Sequence, residues 1–158
     1  MLGKRSMIVR ALVLAAVLMR SSQLWAGESP VHVIVHPTRA SSLTVGEVRA
    51  IFLKQRLFWS DGQPIVPVNR AADSEVRERF SQLVFGRSSR QMATYWNRRY
   101  FDAGEFPPAT LASEEAVLRY VAVNANAIGY VAQTGNGDVA AVLLLGDSEP
   151  TRTRGPGD

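Results

Sequence analysis

Pro67-Val68-Asn69-Arg70-Ala71-Ala72-Asp73-Ser74-Glu75-Val76-Arg77 carries the chain from the end of a strand, through a short loop, into the start of a helix. The run 65–68 (IVPV) is a short strand. Pro67 has no N–H for a sheet ladder, so its presence predicts a sheet edge or a strand end. Asp73 or Ser74 caps a helix over 75–85. Val76, Phe80, Leu83 and Val84 fall on one face of it, and Gly86 ends it.

Strand and helix alternate on both sides of this stretch. Upstream, 31–36 (VHVIVH) is a β-branched run ended by Pro37, apolar at nearly every position, which predicts a central strand. Thr44-Val45-Gly46-Glu47 has the spacing of a capping box, and Val48, Ile51 and Phe52 then recur at helical intervals, giving a helix over 45–53. Trp59-Ser60-Asp61-Gly62 is a turn. Downstream, Ser88 or Ser89 starts a helix bearing Met92, Tyr95, Trp96 and Arg99 on one side. Residues 104–108 form a loop, and Ser113 caps a helix reaching residue 125, with Ala116, Val117, Tyr120 and Val121 as its core stripe. Residues 127–131 (AIGYV) form a strand, 134–138 (TGNGD) a tight turn, and 139–145 (VAAVLLL) a final buried strand. The order is strand, helix, strand, three helices, strand, strand, which predicts an α/β fold with a small sheet covered by helices on its faces.

The loop at 70–74 also suits an oxyanion. A helix N-terminus offers free N–H groups and the positive end of a dipole. Arg70 can bring a guanidinium with bidentate geometry, and Ser74 a hydroxyl. The same residues also admit a plainer role, in which Asp73 and Ser74 only cap the helix and Arg70 points into solvent. Asp73 and Glu75 place negative charge where an anion would sit.

The 158 residues hold 18 Lys and Arg, 14 Asp and Glu, two His and no Cys, for a net charge of +4. That excess alone suggests an anionic partner. Its position suggests otherwise. Residues 1–26 read as a secretory signal: Lys4, Arg5 and Arg10 form a basic region, an apolar run of nine residues follows from Ala11, and Leu24-Trp25-Ala26 offers a cleavage site after Ala26. The run is too short to span a bilayer; an uncleaved N-terminal anchor is the other possibility. The signal holds four basic and no acidic residues, so the chain from Gly27 has 14 of each. Export and a neutral mature chain set nucleic acid aside as a partner. A polarity survives: 39–99 carries a net +6 and 100–158 a net −5. The expected organisation is a signal at 1–26, one domain at 27–147 and a polar, Pro- and Gly-containing tail at 148–158.

Enzymatic signatures are missing. The absence of Cys excludes disulfides, thiolate zinc sites and cysteine nucleophiles. No nucleophile–base pair is visible, so no catalytic residue is expected. His32 and His36 would share a strand face roughly 13 Å apart, too far to hold one metal ion. No cofactor is expected.

Ser42-Leu43-Thr44, the block 48–54 (VRAIFLK), then 58–62 (FWSDG) and 65–70 (IVPVNR) together resemble the phosphate-type periplasmic substrate-binding proteins of ABC transporters. Ser74, Arg77 and Phe80, Tyr95-Trp96, Pro107-Pro108, Ser113-Glu114-Glu115 and 127–131 extend the resemblance over about residues 31–132. It implies a periplasmic-binding-protein-like (type II) fold. Members have two lobes that close on an oxyanion, commonly phosphate, and the matched stretch corresponds mainly to the inserted second lobe. That lobe supplies an Arg and, four residues on, a Ser-Gly-Thr at a helix start. Arg70 and Ser74 match, whereas Glu75 stands at the Gly and Val76 at the Thr. Losing the Gly hampers close backbone approach, and losing the Thr removes a hydroxyl. One lobe also cannot enclose a ligand as two do.

The resemblance therefore implies an exported, non-enzymatic, periplasmic solute-binding protein. It would bind a phosphate-like oxyanion weakly through Arg70, Ser74, Glu75 and Val76, with an ABC permease or another periplasmic or membrane protein as partner. The alternative is a periplasmic protein-interaction or sensory module that has lost its ligand, with Trp59, Tyr95, Trp96 and Tyr100 as candidate contacts.

Overall fold

Strand β1 (Val31–Val35) is buried at four of its five positions, because it lies inside the sheet with a neighbour on each side. The structure is a computed structural model and describes residues 30–135 and 137–146. The expected signal at 1–26 and tail at 148–158 lie outside the described residues. The other strands are β2 (Val66–Arg70), β3 (Ala109–Leu111), β4 (Ala127–Val131) and β5 (Ala140–Leu145), and the sheet order is β3-β2-β4-β1-β5. Strand β2 runs parallel to β3 and β4, while β1 is antiparallel to β4 and β5. Only β1 opposes the other four, which makes the sheet mixed. This is the α/β architecture that the alternation of elements predicts.

Helices cover both faces. Helix α1 (Val45–Phe52) starts at Thr44, whose side chain accepts from the Glu47 N–H while the Glu47 carboxylate accepts from the Thr44 N–H, a complete capping box. Helix α2 (Glu75–Phe85) is capped by Ser74 and ends at Gly86, whose left-handed φ of 65° suits a residue without Cβ. Helix α3 (Ser89–Ala103) begins with a second capping box, Ser88 with Gln91. Helix α4 (Glu114–Val123) is capped by Ser113. Phe52, Phe80, Val84, Val33, Val35, Ile128 and Tyr130 join α1 and α2 to one face of the sheet. Ile34, Val68, Val117, Val121 and Val131 join α4 to the other, and α3 packs on α2. Each fully buried aliphatic or aromatic side chain contributes about 1.5–3 kcal/mol. The Phe80 and Tyr130 rings stack 3.8 Å apart at the centre of the first face. On the second, Gly129 lets α4 approach the sheet: a Cβ there would lie 2.7 Å from Cγ1 of Val117.

Two expectations are corrected, and a third is decided between its alternatives. Strand β2 is interior and Pro67 is its second residue, so the proline marks a strand end and not a sheet edge. Pro67 is tolerated because pairing with β3 begins only at Val68, so at Pro67 the strand has a partner on one side alone. Residues 109–111 form a strand where none was expected. The 139–145 run is an edge strand, with Leu144 62% exposed, and not a fully buried one.

Candidate functional site

The parallel strands β2, β3 and β4 end at one rim of the sheet, and the antiparallel β1 begins there. Arg70 pairs with Leu111, and His32 with Val131, along this rim. Helix α2 leaves the rim on one face and α4 on the other, so both helix N-termini point toward it. Open α/β sheets bind ligands in the crevice at such carboxyl ends, where successive connections diverge to opposite sides of a strand. Here the chain passes from β2 to β3 on one side, then to β4 on the other.

A crevice of about 450 Å³ occupies this position. Arg70, Ser74, Glu75 and Val76 all line it, together with Arg79 and Glu114. The four residues named from sequence are thus brought together, while Asp73 is exposed and not among the lining residues.

The Arg70 side chain is half-buried and held at the rim. Its Nη1 donates to the Leu111 carbonyl oxygen at 3.2 Å, and its Nε is buried with no hydrogen-bond partner among the described residues. Its backbone is fixed twice. The Arg70 N–H donates to the Tyr130 oxygen at 3.3 Å, and the Arg70 carbonyl accepts from Nη1 of Arg77 at 2.7 Å. Tyr130 in turn donates to Oδ1 of Asn69 at 3.0 Å. Burial pushes the Tyr130 phenol up to about 12, so it stays a neutral donor.

Ser74 spends its oxygen as a cap, accepting from the Arg77 N–H at 3.3 Å. Its hydroxyl proton remains to donate, and the N–H groups of Glu75 and Val76 lie in the first turn of α2, where the helix itself supplies no acceptor. The carboxylate of Glu75 has no hydrogen bond or ion pair among the described residues. Capping and crevice lining therefore coexist at Ser74, and Arg70 does not simply point into solvent.

Glu114 fills the opposite side. Its Oε1 accepts from the N–H groups of Ala132 and Gln133, the latter at 3.1 Å. An internal carboxylate thus takes the backbone donors just beyond β4. Sequence reading missed Glu114 and Arg79 as members of the site. Arg79 carried a signal, standing four residues after Glu75 on the same helix face. Glu114 carried none, because its partners are defined by where β4 ends.

The other candidates lie elsewhere. His36 accepts through Nδ1 from the Thr38 N–H at 3.3 Å and lies 2.8 Å from its hydroxyl oxygen, so it is engaged locally. No cluster able to hold a metal ion exists among the described residues. Trp59 and Trp96 are buried and Tyr95 is half-buried, leaving Tyr100 as the exposed member of the proposed contacts.

Neither a protein-family model nor a curated protein matches the sequence. Solved structures do match. A structure from Clostridium perfringens, assigned as a phosphate ABC transporter substrate-binding protein with bound phosphate, superposes with a TM-score of 0.57 at 22% identity, covering 74% of this chain and 46% of that one. An ABC-type phosphate transport receptor from Vibrio cholerae gives a TM-score of 0.56 at 16% identity, covering 80% of this chain and 64% of that one. This chain spans less than two thirds of the length of either. The fold is therefore periplasmic-binding-protein-like, as the sequence resemblance implies, and at these identities the likeness concerns the fold alone.

Proposed function

We propose that the chain is an exported, non-enzymatic solute-binding protein that holds a small phosphate-like oxyanion weakly at the N-terminus of α2. The observation that carries this reading is the convergence of Arg70, Ser74 and the first turn of α2 on one crevice at the carboxyl rim of the sheet. Arg70 supplies the positive charge of its guanidinium, Ser74 its hydroxyl proton, and Glu75 and Val76 their backbone N–H groups. The wall at Val76 is apolar and the carboxylate of Glu75 opposes an anion, which keeps affinity low. Nothing in this role requires a cofactor. The fold neighbours that bind or transport phosphate support the ligand class, and an ABC permease is the partner this reading implies.

Titration calorimetry with phosphate and sulfate tests it. Weak, saturable heat is expected, lost in Arg70→Ala. No heat at millimolar ligand, or an Arg70→Ala variant indistinguishable from wild type, contradicts it.

A second reading rests on a separate observation. Tyr100, Phe101 and Phe106 form an exposed aromatic group at the end of α3, with Phe101 83% and Phe106 62% exposed and ring centroids 4.9–5.6 Å from Tyr100. Such a patch suits a protein contact. A pull-down from periplasmic extract that recovers the same proteins with Phe101→Ser and Phe106→Ser as with wild type contradicts it.

A further inference from the structure

The charges around the crevice do not match a simple anion. Arg70 and Arg79 line it, but so do Glu75 and Glu114. The two carboxylates differ. Glu114 is satisfied by the N–H groups of Ala132 and Gln133, so it is part of the wall. Glu75 has no such partner among the described residues. It lies in the first turn of α2, directly beside the N–H groups that would receive an oxyanion. An inorganic anion bound there lies beside a carboxylate of like charge.

The size of the crevice points the same way. Its volume of about 450 Å³ exceeds what one phosphate fills, since a water molecule takes about 30 Å³ of liquid. A ligand that extends beyond its oxyanion therefore has room along the wall that carries Glu75. If the extension ends in a cation, Glu75 changes from repelling the ligand to pairing with it.

We infer that the crevice selects a small, soluble zwitterion, in which a phosphoryl dianion and an ammonium group are separated by a short chain. The inference rests on the oxyanion reading above and deepens it. The phosphoryl group sits at Arg70, Ser74 and the α2 terminus, and the ammonium at Glu75. An exposed ion pair contributes little, so the selectivity is small: a fewfold and at most about fivefold. Glu75 thus becomes a specificity-determining residue at a position where glycine would leave room for the ligand backbone contact.

A matched pair of probes tests this by calorimetry on the purified chain: phosphoethanolamine, and ethyl phosphate, which lacks the amine. Wild type is expected to bind phosphoethanolamine about three- to fivefold more tightly. Glu75→Gln is expected to erase the difference, chiefly by tightening ethyl phosphate. Circular dichroism checks that the variant is folded; Glu75 is exposed. Equal affinities on wild type, or a preference that survives Glu75→Gln, overturns the inference while leaving the oxyanion site standing. Failure of both probes and of phosphate to bind overturns the two readings together. Vesicles of phosphatidylethanolamine, whose phosphoryl group is a singly charged diester, are expected not to retain the protein. Retention by vesicles without binding of soluble phosphoethanolamine also overturns it.

Discussion

Nη1 of Arg77 lies 2.7 Å from the carbonyl oxygen of Arg70 and donates to it, tying the first turn of α2 back to the last residue of β2. The bond spans the loop that presents Arg70 and Ser74 to the crevice. It explains how a loop containing two alanines and no proline is held in one shape.

Removing this tie should loosen the loop without unfolding the sheet. Arg77→Ala is expected to cost about 1.5 kcal/mol, the lower end for a charge-assisted hydrogen bond. Oxyanion affinity should fall as well, though Arg77 is not among the crevice-lining residues. Urea denaturation together with phosphate titration checks both effects. Unchanged affinity would show that the loop holds its shape by other means.

Gly129 is required by packing, not by φ. A Cβ would meet Val117 Cγ1 at 2.7 Å and Val68 Cγ2 at 3.1 Å. Neither valine is a flexible chain end, so α4 must move away from β4. Gly129→Ala is expected to destabilise by about 1–3 kcal/mol, as overpacked cores do. A thermal melt matching wild type would contradict the close approach of α4.

Tyr130 predicts an alkaline limit. Its phenol is raised by burial from 10.0 to about 12. Above pH 10 the unfolded chain loses this proton while the folded chain keeps it. The unfolded state then binds fewer protons, so stability falls as pH rises. The contribution is complete below pH 10 and is lost through about 12, roughly 2–3 kcal/mol in all. Tyr130→Phe should flatten this decline, and it should also lower stability at neutral pH by leaving Asn69 Oδ1 without its donor. Denaturation from pH 8 to 12 in both proteins tests the sign; a decline of equal depth in the two would contradict it.

How much of this was legible in the sequence varied with the range of the interaction. The capping box at Thr44 and Glu47 and the cap at Ser74 are local, and the chain reads them correctly. Strand 127–131 was also clear, because burial on both faces leaves an unbroken apolar run. The 139–145 run looks the same but lies at an edge, since an apolar run does not record how many neighbours it has. Residues 109–111 hold no β-branched run. They are a strand because β2 lies beside them, and that is a long-range fact. The same limit applies to the site: Arg70 and Ser74 belong to one loop and could be named together, whereas Glu114 meets Ala132 and Gln133 only through the sheet.

An acid limit follows from Glu78. The Ser89 hydroxyl and N–H donate to its Oε2 at 2.6 Å and 2.8 Å, joining α2 to α3. These bonds, the hydroxyl first, hold the Glu78 carboxyl below its usual 4.5. A depressed carboxyl stabilises the fold above its unfolded value, and that stability is lost as pH falls through the folded one. Glu78→Gln should therefore weaken the fold at neutral pH and show a shallower acid decline. Denaturant midpoints from pH 7 to 2 check this; parallel curves for the two proteins would contradict it.

The central claim is that the N-terminus of α2, with Arg70, receives an oxyanion. An NMR titration with phosphate that follows the backbone amides tests it most directly. The account predicts saturable shifts concentrated at Glu75 and Val76, with smaller changes near Arg70, all absent in Arg70→Ala. Shifts confined to other regions, or none at millimolar phosphate, would contradict it.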